Sequence, residues 1–138
     1  MPKKGTTLIE LVVVVVIVGI LVGIAMPQYL RSRERAVDKE AIVILKAIHN
    51  AERILRFETG AYYPSSAVDI TDVDNINDNL RLLLPPAWPQ GNWNYAITGV
   101  AGGTSYTASV SRNQNGFDRQ WQVTNTDYPQ PSCTGGCP

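Results

Sequence analysis

One carboxylate, Glu10, sits inside KKGTTLIELVVVVVIVGILVGIAMPQYL (residues 3–30), a stretch otherwise fit for hydrocarbon. A charged side chain at mid-bilayer costs roughly 2.5 to 3.5 kcal/mol even on mild scales, so an intramembrane acid is by default a functional residue with a partner somewhere. No partner stands out in the sequence. Cys133 and Cys137, with Thr-Gly-Gly between them, can close a small flexible ring. Two free thiols or a bridge between chains are the alternatives. Asp69, Asp72, Asp74 and Asp78 supply oxygens of the kind Ca²⁺ takes, but their spacing matches no EF-hand. Asp and Asn are ordinary turn and cap residues there, and no metal site is expected. The single histidine, His49, has no cysteine or carboxylate at ligand spacing on a second segment and lies off the apolar stripe of its helix, so it is expected in solvent. Nucleophile, base and orienter are nowhere suggested, nor is a Gly-rich phosphate loop before a helix. Neither catalysis nor a cofactor is expected.

The elements that must position Glu10 and the cysteines are unlike each other. The chain has 138 residues, 12 basic and 12 acidic, and this balance gives no reason to expect a nucleic-acid partner. Residues 11–30 carry no charge, enough at about 1.5 Å per residue to cross a hydrocarbon core of roughly 30 Å. Only MPKKG precedes the apolar run and no small-residue cut site follows it, so the span is not an ordinary secretory signal and should be retained. Counting basic residues puts Arg31, Arg33 and Arg35 inside, against Lys3 and Lys4 at the other end. The cysteines point instead to an oxidising compartment for the C-terminal part. These two signals leave the topology open.

Residues 12–18 are wholly β-branched, a strand composition in water, yet in lipid an isolated strand leaves its backbone unsatisfied, so a helix is expected. Val37, Ala41, Ile44, Ile48, Ala51 and Leu55 then recur at four- and three-residue steps, widened by Ile42 and Leu45. One helix over about 8–58 follows, stopped by Thr59-Gly60. Pro27 lies inside it and removes one backbone donor, close to Gly19 and Gly23. Those glycines also form a G-x-x-x-G through which another helix can approach, although such pairs are common in spans.

Residues 60–91 read as an irregular connection holding one short helix in DNINDNLRLLLPP, capped by Asp74 and stopped by Pro85 and Pro86. Three alternating sets follow: Trp93, Tyr95 and Ile97; Tyr106, Ala108 and Val110; Phe117, Trp121 and Val123. Asn115-Gly116 makes the second turn of the resulting antiparallel meander. The sheet needs a cover, and the apolar stripe of the helix is the only long one available in water. Tyr29, Phe57, Tyr62 and Tyr63 are expected as anchors and core rather than as an electron path.

GTTLIELVVVVVIVGILVGIAMPQYL resembles the N-terminus of type IV pilins and of the pseudopilins of type II secretion: a short basic leader ending in Gly, then T-L-I-E-L opening an apolar helix that contains a Pro. The resemblance implies the pilin fold, an α+β arrangement. In it a long N-terminal helix, membrane-spanning in its first half and amphipathic in its second, packs on a three- to four-stranded antiparallel sheet. It divides the chain into a leader over 1–5, a transmembrane and assembly helix over 6–30, an amphipathic half over 31–59, the connection over 60–91 and the sheet with its tail over 92–138. It implies cleavage between Gly5 and Thr6 by a prepilin peptidase on the cytoplasmic side, methylation of Thr6, and export of the rest. The residue after the cut is usually Phe, whereas this chain has Thr6; recognition depends chiefly on the Gly side, and cleavage is still expected. It further implies an assembly role for Glu10 and Pro27, with the Glu10 carboxylate meeting the terminal ammonium of the neighbouring subunit.

The partners implied are identical subunits in a helical homopolymer, the peptidase and methyltransferase, an inner-membrane assembly platform, and the membrane that holds the precursor. The expected function is a structural subunit of a type IV pilus on the cell surface. The alternatives are a major pseudopilin of a short periplasmic pseudopilus and a minor tip pilin acting as a binding module; the Tyr-Pro of GAYYPSS after the helix resembles both major pseudopilins and short pilins.

Overall fold

The helix expected over about 8–58 is α1, Leu8–Thr59, unbroken through Pro27. The computed structural model describes residue 5 and residues 7–114, 117–126 and 130–137, without the side chains of 114 and 117. Packing divides the chain into two units, one ending at Val37 and one beginning at Asp38, and α1 contributes to both. In the first unit every residue over 8–30 is exposed, and the apolar part of α1 is long enough to cross a membrane with none of it buried.

The second unit is a helix on a sheet. Gly60 ends α1 at φ +83°, a left-handed conformation that costs a residue without Cβ little, and its N–H reaches the Arg56 carbonyl at 2.8 Å. Five strands follow in the order of the chain: β1 Asp69–Ile70, β2 Asn94–Gly99, β3 Tyr106–Gln114, β4 Phe117–Thr124 and β5 Ser132–Gly135, all antiparallel neighbours. The expected meander is therefore β2-β3-β4, widened from the expected three or four strands by a short strand at each edge. β1 has two residues and β5 four, too few for alternation to show in sequence; β1 is held because its residues pair with Thr98 and Ile97. The Asn115-Gly116 turn lies outside the described residues.

The connection over 60–91 is less irregular than its composition suggests, since it holds β1 and α2, Val73–Leu80. The cap of α2 is Asp72 rather than Asp74: Asp72 is extended and its carboxylate accepts the Asp74 N–H at 3.0 Å. Its stop is Arg81 in the left-handed region at φ 53°, four residues before the first proline of Pro85-Pro86. The Asn77 side chain then accepts the Leu84 N–H at 2.8 Å and closes the chain behind the helix.

The core lies between α1 and one face of the sheet. Ala41, Ile44, Leu45, Ile48 and Ala51 are buried from the helix; Tyr95, Ile97, Tyr106, Ala108, Val110 and Val123 from the sheet; Trp93 from the residue just before β2; and Ile76 and Leu80 from α2. At about 25 cal/mol per Å² of apolar surface removed from water, each large side chain here contributes roughly 1.5 to 3 kcal/mol. Of the third expected set, Trp121 is half-buried, and the side chain of Phe117 lies outside the described residues.

Polar groups enter this core where the sequence reading placed none. His49, expected in solvent, is 5% exposed, because it sits one helical turn past Leu45 on the packed face, and its Nδ1 is 2.7 Å from the Tyr106 hydroxyl. Asp38, Ala41, Leu45, Ile48 and Glu52, at steps of three and four, are all buried, so an acid brackets each end of the stripe. Arg112 and Arg119 are buried directly opposite one another in the β3-β4 ladder, and Arg119 forms an ion pair with Asp38. Two like charges across a ladder repel. Asp38 offsets that charge inside the packed unit.

Candidate assembly site

The N-terminal unit has the plainest chemistry. Its backbone bonds are internal to the helix, so a β-branched run that would pair as strands in water is satisfied without a neighbour. Its side chains over residues 8–30 are all exposed. A Cβ built on Gly19 or Gly23 would meet nothing within 4 Å, and the same holds at Gly5. Gly19 and Gly23, one helical turn apart, therefore leave one smooth face of α1 open to a second helix, the form in which small residues let backbones approach in lipid.

Glu10 has a partner the sequence reading missed. The helix begins at Thr7, whose carbonyl accepts the Leu11 N–H at 3.3 Å. Glu10 Oε2 accepts the Thr7 N–H at 2.8 Å and the Thr7 hydroxyl at 3.0 Å, while the Glu10 N–H points at Thr7 Oγ1 at 3.4 Å. This is a reciprocal capping box, with Thr first and Glu three residues later, legible as T-L-I-E once the helix start is known. An acid in the first turn also faces the positive end of the helix dipole. The single chain thus keeps Glu10 hydrogen-bonded while its carboxylate stays on the exposed surface.

The other expected positions fall as follows. Thr6, the residue expected to carry the new amino terminus and its methyl group, lies outside the described residues. Pro27 is exposed within α1. Cys133 and Cys137 are joined by a disulfide that closes the end of β5. Gly136, between them, is at φ +60°, and a Cβ there would strike the Asp118 carbonyl, so only glycine lets the ring lie against β4. Among the described residues no three His, Cys, Asp or Glu side chains gather as a metal site.

A second polar group of the core ties the connection to α1. Glu52 is fully buried and its Oε2 accepts the Tyr63 N–H at 2.9 Å. Burial pushes its carboxyl up to about 7, against the opposing pull of that hydrogen bond. Arg56, one turn on, donates to the Tyr62 hydroxyl at 2.8 Å, and Tyr62 packs edge-on against Tyr106 with ring centroids 5.0 Å apart. Tyr63 donates its own hydroxyl to Asn75 at 2.6 Å. Tyr95 is buried beside Glu40, and both effects push its phenol up to about 12, so it stays neutral. These contacts hold the connection against the part of α1 that belongs to the second unit; none pairs a nucleophile with a base.

Comparison with known proteins agrees with this geometry. Residues 1–26 match the prokaryotic N-terminal methylation motif. The chain is 41% identical over 60 residues to the type IV major pilin protein PilA of Myxococcus xanthus, covering 44% of this chain and 27% of that one. It is 36% identical over 60 residues to the type II secretion system core protein G of Vibrio cholerae, covering 44% of this chain and 41% of that one. It is 30% identical over 64 residues to protein G of Escherichia coli, covering 46% and 43%. The chain thus spans between about a quarter and two-fifths of the length of these curated relatives. No solved structure matches it significantly. A prepilin-type methylation segment opening a long apolar helix, together with these relatives, supports the superfamily of type IV pilins and type II secretion pseudopilins as the one this chain resembles.

Proposed function

We propose that this chain is a structural, non-enzymatic subunit of a type IV pilus, held in the inner membrane as a precursor and polymerised through α1 into a surface filament. In this reading prepilin peptidase cuts between Gly5 and Thr6 on the cytoplasmic side, Thr6 is methylated, and an assembly platform lifts the subunit out of the lipid. The observation that carries the reading is Glu10, an acid at the head of a helix whose apolar surface is bare in the single chain. A helix that served only as an anchor would do better with valine, by a few kcal/mol. In a filament the carboxylate pairs with the terminal ammonium of a neighbour, and losing one member of such a buried pair costs roughly 3 to 5 kcal/mol. A pseudopilus of type II secretion is the second reading, supported by the protein G relatives.

The test is Glu10→Val in the full chain, followed by electron microscopy of sheared surface material and immunoblots of membrane fractions. Cleaved, membrane-inserted protein without filaments is the expected result. Abundant filaments made only of the variant would overturn the pairing role. Wild-type fibres confined to the periplasm would favour the pseudopilus.

A further inference from the structure

The second unit leaves one apolar surface uncovered by its own core. On α1, Val43, Ala47, Asn50, Ile54 and Phe57 recur at steps of four, three, four and three residues, a stripe offset from the buried line through Ala41, Leu45 and Ile48. Val43, Ile54 and Phe57 are 66%, 61% and 93% exposed. Between this stripe and α2 runs an open groove of 330 Å³ whose floor is formed by Ala47, Ala51, Ile54, Leu55 and Leu80. Its rim is polar: Asn50, Asn79, and Arg81 facing Glu58 at 3.4 Å. Single exposed apolar side chains are ordinary, but a contiguous apolar floor with a polar rim is the anatomy of an interface.

The spacing says what kind of element fits. A seam averaging 3.5 residues is the one into which another helix lays its ridge, and Ala47 and Ala51 leave room for its backbone to come close. The chain itself has a matching element without a cover, the exposed apolar helix over residues 8–30. While the subunit is a membrane precursor, lipid covers that helix; in a fibre outside the membrane, protein must. Each copy therefore carries one bare apolar helix and one bare apolar groove, two different surfaces. Pairing unlike surfaces head to tail generates an open helical array rather than a closed dimer.

We propose that the groove between α1 and α2 receives the apolar helix, residues 8–30, of a neighbouring copy. The inference rests on the filament reading above and adds to it the receiving surface in the second unit. Asn50, the one polar residue on the stripe, sets the register of the incoming helix, as a lone polar residue does in a helical seam.

The test places a photo-crosslinking amino acid at Ile54 of the full-length chain, assembles the protein in cells, irradiates, and maps the captured peptide by mass spectrometry. Capture of residues 8–30 of another copy, in filaments and not in monomeric membrane protein, is expected. Capture of lipid, of another protein, or of the second unit of another copy overturns the proposal. Ile54→Glu and Ile54→Leu provide an independent reading, because Ile54 is exposed and neither change reaches the core. Ile54→Glu should be cleaved, inserted and as heat-stable in detergent as wild type, yet yield at least tenfold fewer filaments, while Ile54→Leu assembles normally. Normal filaments from Ile54→Glu alongside none from Glu10→Val would remove the groove and keep the filament reading. Normal filaments from both variants would remove the groove and the Glu10 pairing while keeping a polymerising subunit; none from wild type would remove the filament reading and the groove with it.

Discussion

The backbone N–H of Tyr63 donates to Glu52 Oε2 at 2.9 Å, joining the connection after α1 to a carboxyl that solvent does not reach. The other oxygen, Oε1, has no hydrogen-bond partner among the described residues. Glu52 therefore costs stability when ionised and little when protonated. Its ordinary value of 4.5 is raised in the folded chain to about 7, chiefly by burial. Between those values the folded state holds a proton that the unfolded state has released. The contribution is complete below about pH 4.5 and is lost as pH rises through 7, roughly 3 kcal/mol in all. Urea unfolding of the full chain in detergent at pH 4.5 and pH 8 should show this loss, and Glu52→Gln should flatten it. An equal loss in the variant would assign the pH dependence to other groups.

Asp38 and Arg119 are each buried, and neutralising one leaves the other charged inside the core beside Arg112. Asp38→Ala is expected to destabilise the second unit by roughly 3 to 5 kcal/mol. The double change Asp38→Leu with Arg119→Met should recover most of that loss, because it removes both charges and keeps the volume. Denaturant midpoints of the two variants decide it; a double variant no better than the single one would place the cost elsewhere.

Thr7→Val removes a hydroxyl that donates to Glu10 and leaves the backbone N–H to hold the carboxylate alone. The helix should lose roughly 1 kcal/mol at its first turn. Hydrogen exchange in micelles should quicken over residues 8–11 and remain unchanged near Pro27. The same variant should still assemble, since the carboxylate is kept; loss of filaments would make the Thr7 hydroxyl itself part of the assembly contact.

The disulfide between Cys133 and Cys137 encloses so few residues that its chain-entropy contribution is modest, about 2 kcal/mol. Replacing both cysteines by serine should free β5 from β4 while leaving β2, β3 and β4 protected. Exchange rates over 132–135 report the first effect and those over 106–112 the second. Non-reducing mass spectrometry of exported protein should find the bridge within one chain.

Processing makes a prediction at the other end. Mature protein should begin at Thr6, and a bulky residue in place of Gly5, which has open space around it, should leave uncut precursor in the membrane. Intact mass distinguishes the two forms directly.

The long helix was legible from composition because both of its constraints are local: an uncharged run must satisfy its own backbone in lipid, and a stripe at three- and four-residue steps must face one side. The three central strands were legible for the same reason, since alternation over six to nine residues is a strong pattern. Glu10 announced itself as the one charge in the apolar opening, and the short spacing of Cys133 and Cys137 allowed a ring. What the sequence could not carry was anything decided by cross-chain distance. β1 is a strand only because Thr98 and Ile97 lie beside it, and α2 starts at Asp72 only because that residue is extended where its carboxylate meets the Asp74 N–H. The parity of Arg112 and Arg119 matched the inward set in their strands, yet a charge reads as solvated until a partner is in place, and Asp38 lies 81 residues from Arg119 in sequence. His49 and Glu52 were hidden in the same way: a polar residue on a helix is cheap in water and costly in a core, and only the packing of Tyr106 and Tyr63 against them decides which environment they occupy.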